Sequence, residues 1–130
     1  MIIGIKTNHI ALQYSDRKKA DIFFNKILGL NKIKTFTLSK ELSNDIFDIK
    51  EEVIVDVYSN MWAYFEVFIT NIETQYNFEH ICIEVGNIEE FLNRCKNYKI
   101  EPKYVKIGDR ELLFIRDFSN NLYEIKEKQT

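Results

Sequence analysis

The same succession of elements, one strand, a helix and three further strands, reads twice along this chain. A duplication of that kind constrains the fold more than any single segment does. In the first half, Ile3 to Leu12 alternates as a strand, with His9, Ala11 and Gln13 on one face and Ile10 and Leu12 on the other. Ser15 or Asp16 can cap the helix that follows, because a short oxygen-bearing side chain accepts from the free amides of a first turn. Ala20, Phe23, Phe24, Ile27 and Leu28 form its apolar stripe, and Gly29 is placed to end it in left-handed backbone. Strands are expected over Asn31 to Leu38, Val53 to Tyr58 and Met61 to Ile69, the last two joined by a tight turn at Ser59-Asn60. Ser39 to Ile49 is ambiguous, although Leu42, Ile46, Phe47 and Ile49 can line a short helix.

The order then restarts. Phe78 to Val85 reads as a strand, and Gly86-Asn87 leads into a helix with Ile88, Phe91, Leu92, Cys95 and Tyr98 on one side. Pro102 to Ile107, Glu111 to Arg116 and Leu122 to Lys126 are the remaining strands, with a hairpin turn at Gly108-Asp109 and a turn over Phe118 to Asn121. Aligning His9-Ile10-Ala11-Leu12 with His80-Ile81-Cys82-Ile83 also carries Ala20 onto Phe91, Phe24 onto Cys95 and Ile27 onto Tyr98. The expected architecture is α+β. Residues 1–130 form one domain of two tandem βαβββ modules (1–70 and 77–130) that build a curved mixed sheet.

Four polar residues stand out against this pattern. The only two histidines, His9 and His80, hold the same place in the two repeats, near the middle of the opening strand. Glu66 interrupts the apolar run from Met61 to Ile69, and Glu124 repeats the feature on the closing strand of the second half. An ionised carboxylate in such surroundings needs a partner. Each repeat therefore contributes one imidazole and one carboxylate, a donor set suited to Zn, Ni, Co, Fe or Mn. Cys82 shares a face with His80 and Glu84 by alternation and reads as pocket lining. Trp62, Tyr64 and Phe68, with Leu42, Phe47 and Phe118, are candidates for an apolar pocket.

The two modules, the segment Phe23-Phe24 to Leu28-Gly29-Leu30, and the run from Leu113 through Arg116-Asp117 and Asn121 to Glu124 resemble the vicinal oxygen chelate superfamily. This superfamily is also called the glyoxalase/bleomycin-resistance/dioxygenase superfamily. Phe118-Ser119-Asn120 replaces that family's usual Pro-Asp-Gly turn. The resemblance implies metal ligands at His9, Glu66, His80 and Glu124, a set similar to the glyoxalase I branch. It also implies lyase or isomerase chemistry of the lactoylglutathione lyase type. Adjacent oxygens of a small substrate would bind a divalent metal while Glu66 or Glu124 moves a proton between neighbouring carbons. The alternatives are a metal-free binder of the bleomycin-resistance type, another reaction of the superfamily such as dioxygenation or thiol transfer, or an interaction domain in which Arg116 or Lys126 pairs with the two glutamates.

Composition narrows the partners. With 18 basic and 20 acidic residues the net charge is −2, and no concentrated basic surface points to nucleic acid. No apolar run approaches the length of a membrane span. The opening residues lack the charged lead of a signal peptide, and two isolated cysteines fit a reducing compartment, so a cytoplasmic protein is expected. Long strands and apolar helix faces make a homodimer plausible, with the modules paired within a chain or across the dimer.

Overall fold

The computed structural model describes residues 4, 7–72 and 76–128. Residues 3, 5 and 6 of the expected first strand lie outside that set. Among the described residues, eight strands, three α-helices and one π-helical segment lie in two matching halves. The first half contains β1 (Ile10–Tyr14), α1 (Arg17–Asp21), β2 (Asn31–Leu38), α2 (Lys40–Phe47), β3 (Val53–Ser59) and β4 (Tyr64–Ile69). The second contains β5 (Ile81–Val85), α3 (Ile88–Asn97), β6 (Lys103–Ile107), β7 (Arg110–Arg116) and β8 (Leu122–Glu127). Among the described residues, no helix is long and apolar enough to cross a membrane.

The duplication extends to topology. One sheet has the order β1-β4-β3-β2 and the other β5-β8-β7-β6, each with one parallel pair, β1 with β4 and β5 with β8. The expected α+β fold of two βαβββ modules is present, and each module builds one four-stranded mixed sheet, with β1 and β5 at the sheet edges. Both histidines sit one residue before their strands rather than in the middle of them, and β4 begins at Tyr64 rather than Met61. Asn60 accounts for the later start: its Oδ1 accepts from the Trp62 and Ala63 amides at 2.8 and 2.7 Å and holds those residues in the turn.

The core lies between the helices and the inner faces of both sheets. Asp16 caps α1 by accepting from Lys19 N, as anticipated, but the helix widens into π geometry over Ile22–Ile27. Leu28 N donates to Phe23 O five residues back, and Gly29 then ends the helix at φ 75°. Both adjacent phenylalanines are fully buried. Phe23 packs on Tyr123 and Phe118 of the second module, whereas Phe24 packs on Tyr14, Tyr58 and Phe65 of the first. Phe118 therefore belongs to the core and not to the pocket expected for it. From α3, Arg94 Nε donates to Ile27 O at 3.0 Å and satisfies a carbonyl at the end of the π turn.

A second joint is polar. The turn between β7 and β8 closes on Asp117, whose carboxylate accepts from the Ser119 and Asn121 amides, Asn121 Nδ2 and the Tyr123 hydroxyl. The same turn grips the end of β1. Asn121 Nδ2 donates to Gln13 O at 3.2 Å, the Ser15 amide to Ser119 Oγ at 3.0 Å, and the Phe118 amide to the Tyr14 hydroxyl at 3.0 Å. The Arg-Asp-…-Asn run thus fastens module two to module one.

At Gly29 an added Cβ meets nothing within 4 Å, so the penalty for a side chain is the left-handed backbone alone. Gly29→Ala is expected to lower stability by about 1 kcal/mol, read from urea denaturation. A loss several times larger would reveal a packing role for the bare backbone there.

Candidate metal centre

Strand parity places the four anomalous residues. The side chains of Asp56 and Tyr58 bond to α1, so their face of β3 is the inner one. Val55 and Val57 therefore face outward. Val57 pairs with Glu66, and Glu66 with Ala11, which puts the Glu66 carboxylate on the outer face with His9 two residues before Ala11. In the second sheet Cys82 pairs with Glu124, and His80 lies two residues before Cys82. The register from histidine to glutamate is identical in the two modules.

The first pair is in contact, with His9 Nε2 3.5 Å from Glu66 Oε1. His9 Nδ1 lies 3.4 Å from Asn8 Oδ1, and His80 Nδ1 lies 2.9 Å from Phe78 O. The Phe78 carbonyl can only accept, so His80 donates through Nδ1, whereas His9 turns Nε2 to the Glu66 carboxylate, which likewise only accepts. Neither glutamate has a Lys or Arg partner within 4.0 Å among the described residues. Arg116 instead donates to Asn120 O and stacks 4.5 Å from the Tyr76 ring.

Among the described residues, no three His, Cys, Asp or Glu side chains are grouped so as to hold a metal ion. The donor chemistry suits a borderline or hard divalent ion, but a chain presents it in pairs, one on each sheet. Partial burial and the charge of Glu124 push the Cys82 thiol up. Glu124 lines a cavity of about 570 Å³ with Glu84, Leu112 and Lys126. His9 lines a groove of about 770 Å³ with Tyr64, Trp62 and Cys82. Trp62 is 87% exposed at the rim. The α2 segment, left ambiguous by periodicity, is a helix that lays Phe47 edge-on against Phe68 at 5.5 Å and covers part of the outer face.

Two features escaped the reading of the sequence. Asp56 is fully buried in β3 and holds Arg17 through two hydrogen bonds at 2.8 and 2.9 Å, with Thr35 Oγ1 at 2.7 Å. It interrupts an apolar run just as Glu66 does, and the same signal marks it. Burial opposes its charge, but Arg17, Thr35 and Lys32 outweigh that and hold its carboxyl below the usual range. The other is a β-bulge between Lys32 and Lys34. Lys32 pairs with inward-facing Tyr58, yet Lys34 pairs with outward-facing Val57.

No protein-family model matches the chain, and no curated protein matches its sequence. Solved structures match its fold. The fosfomycin resistance protein FosX of Listeria monocytogenes superimposes with a TM-score of 0.69 at 19% identity, covering 99% of this chain and 96% of that one. A variant of that protein complexed with Mn(II) and 1S,2S-dihydroxypropylphosphonic acid gives a TM-score of 0.70 at 18% identity over 99% and 95%. A glyoxalase family protein of Enterococcus faecalis gives 0.71 at 17% identity over 92% and 95%. Duplicated topology, matching histidine-glutamate registers and these superpositions together show that the chain has the vicinal oxygen chelate fold.

Proposed function

We propose that the protein is a divalent-metal enzyme acting on a small molecule that offers two adjacent oxygens. The observation that supports this most is the repeat-equivalent register of one histidine and one glutamate, with no Lys or Arg within 4.0 Å of either carboxylate among the described residues. His9 and Glu66 of one copy, with His80 and Glu124 of a second, would hold the ion, which makes the active unit a homodimer. A bound ion would supply Lewis-acid stabilisation of negative charge on substrate oxygen. Glu66 and Glu124 hold or move a proton at their Oε atoms, and the fully buried Val57 paired with Glu66 excludes water from that side of its strand. The reaction proposed is a proton-transfer isomerisation or lyase step of the glyoxalase type. The likeness to FosX, one variant of which binds a dihydroxyphosphonate with Mn(II), favours as second reading the modification of a phosphonate antibiotic.

Elemental analysis of protein purified without chelator tests the metal. The wild type is expected to carry a transition metal, and His9→Ala and His80→Ala are each expected to lose it while keeping the fold by circular dichroism. Metal content unchanged in both variants would end the ligand assignment. Hemithioacetal isomerisation and opening of an epoxyphosphonate, assayed side by side, separate the two reactions. Light scattering checks the dimer.

A further inference from the structure

We propose that helix α2 docks on a second copy of this chain, its apolar stripe covering the outer face of that copy's β6–β7 hairpin, so that a two-fold dimer makes the contact twice; the inference extends the two-copy site above and rests on that reading. The helix is built inside out. The side chain it buries is Ser43, whose Oγ donates to Ile49 O at 2.6 Å. Leu42 and Ile46, one turn apart, and Ile49, just past the left-handed Asp48 cap, are 51%, 60% and 49% exposed. An amphipathic helix that leaves its apolar stripe in water while burying a serine is fitted to a surface outside its own chain.

Module two has no such helix, since β6 and β7 meet directly at Gly108-Asp109. Leu113 and Ile115 of β7 enter the core, so the alternate residues make the outer face of that hairpin. There Val105 pairs with Leu112, Lys103 with Phe114 and Ile107 with Arg110. The four apolar side chains lie between two cations at opposite corners, and Ile107 is 52% exposed. The charged residues interleaved with the α2 stripe are Glu41, Asp45 and Asp48, all acidic. Apolar centre faces apolar centre, and acidic flank faces basic corner. Within one chain the two surfaces cannot meet. The inner faces of both sheets share one core, so their outer faces point apart. A two-fold axis instead brings each α2 to the other copy's hairpin and satisfies both surfaces at once. The acidic flanks also disfavour an anionic lipid surface as the partner.

Analytical ultracentrifugation of the full chain tests this with Ile46→Asp, Ile107→Asp and a control on α3, Lys96→Gln. Wild type is expected to be a dimer that weakens with added salt, because opposite charges flank the contact. Each aspartate variant should raise the dimer Kd by about a hundredfold or more, and the control should leave it unchanged. Both substituted side chains are exposed, so circular dichroism should show the fold intact, and Leu42→Ser provides a milder probe of the same stripe. Mixing the two aspartate variants should give a pair tighter than either variant forms with itself, because one α2 and one hairpin in the mixed pair are intact. A monomeric wild type, or a dimer Kd unaltered in both variants, overturns the inference. Elemental analysis of the same samples keeps the two readings apart. A dimer that depends on Ile46 and Ile107 yet holds no metal removes the metal reading alone, and a metal-loaded dimer indifferent to both removes this inference alone.

Discussion

Asp117→Ala is expected to lower folding stability by about 4 kcal/mol, a large share of the about 5–15 kcal/mol that holds a domain folded. The magnitude follows from what the carboxylate satisfies. The Ser119 and Asn121 amides, Asn121 Nδ2 and the Tyr123 hydroxyl all donate to it, and Tyr123 is fully buried. Alanine leaves these donors without an acceptor where water enters poorly, at about 1 kcal/mol or more apiece. Asp117→Asn keeps the shape but offers one oxygen and brings an amide against donors, so its loss should be more than half as large. Urea denaturation measures both. A loss below about 1 kcal/mol for alanine would mean that the turn rebuilds its bonds with solvent.

The two buried aspartates respond to acid in opposite senses. Burial dominates at Asp117 and raises its pKa despite the donors around it. Its favourable contribution is therefore present below the unfolded pKa and lost as pH rises through the folded value. Asp56 is depressed, so its contribution is present above the unfolded pKa, about 3.9, and lost as pH falls through the folded value. Asp56→Asn should flatten the acid limb of the stability curve below about pH 4, because the linkage lost there is that of Asp56 with Arg17. An acid limb identical to wild type would show that the Arg17 bonds carry no linkage.

Most of the architecture was legible because a repeated hydrophobic pattern leaves few arrangements for eight strands. The caps of α1 and α3 and the positive φ of Gly29 and Asn120 also follow local chemistry that short windows contain. What periodicity could not supply was anything set by pairing. The bulge that turns Lys34 outward depends on β3, and the π turn depends on Phe23 and Phe24 serving different modules. Phe118 carries no mark that separates a pocket residue from the core residue it is. The histidine-glutamate pairs were readable as anomalies, one to each repeat, but that each repeat closes its own four-stranded sheet follows from strand pairing.

Glu124→Gln is expected to reduce turnover by about a thousandfold while changing stability by less than about 1 kcal/mol. The two effects separate because of the surroundings of Glu124. It faces Cys82 and Phe114, lines the cavity on the second sheet, and has no basic partner within 4.0 Å among the described residues, so glutamine of equal size strands no buried charge. On the proposed reading it removes a group able to take and return a proton, together with one charged donor to the ion. Measuring kcat at saturating metal distinguishes these. A defect that excess metal repairs assigns Glu124 to binding, and one that persists assigns it to proton transfer. Unchanged turnover at both metal levels would exclude Glu124 from the chemistry and shift the role to Glu66, whose contact with His9 at 3.5 Å already places a carboxylate beside an imidazole in the other half of the chain.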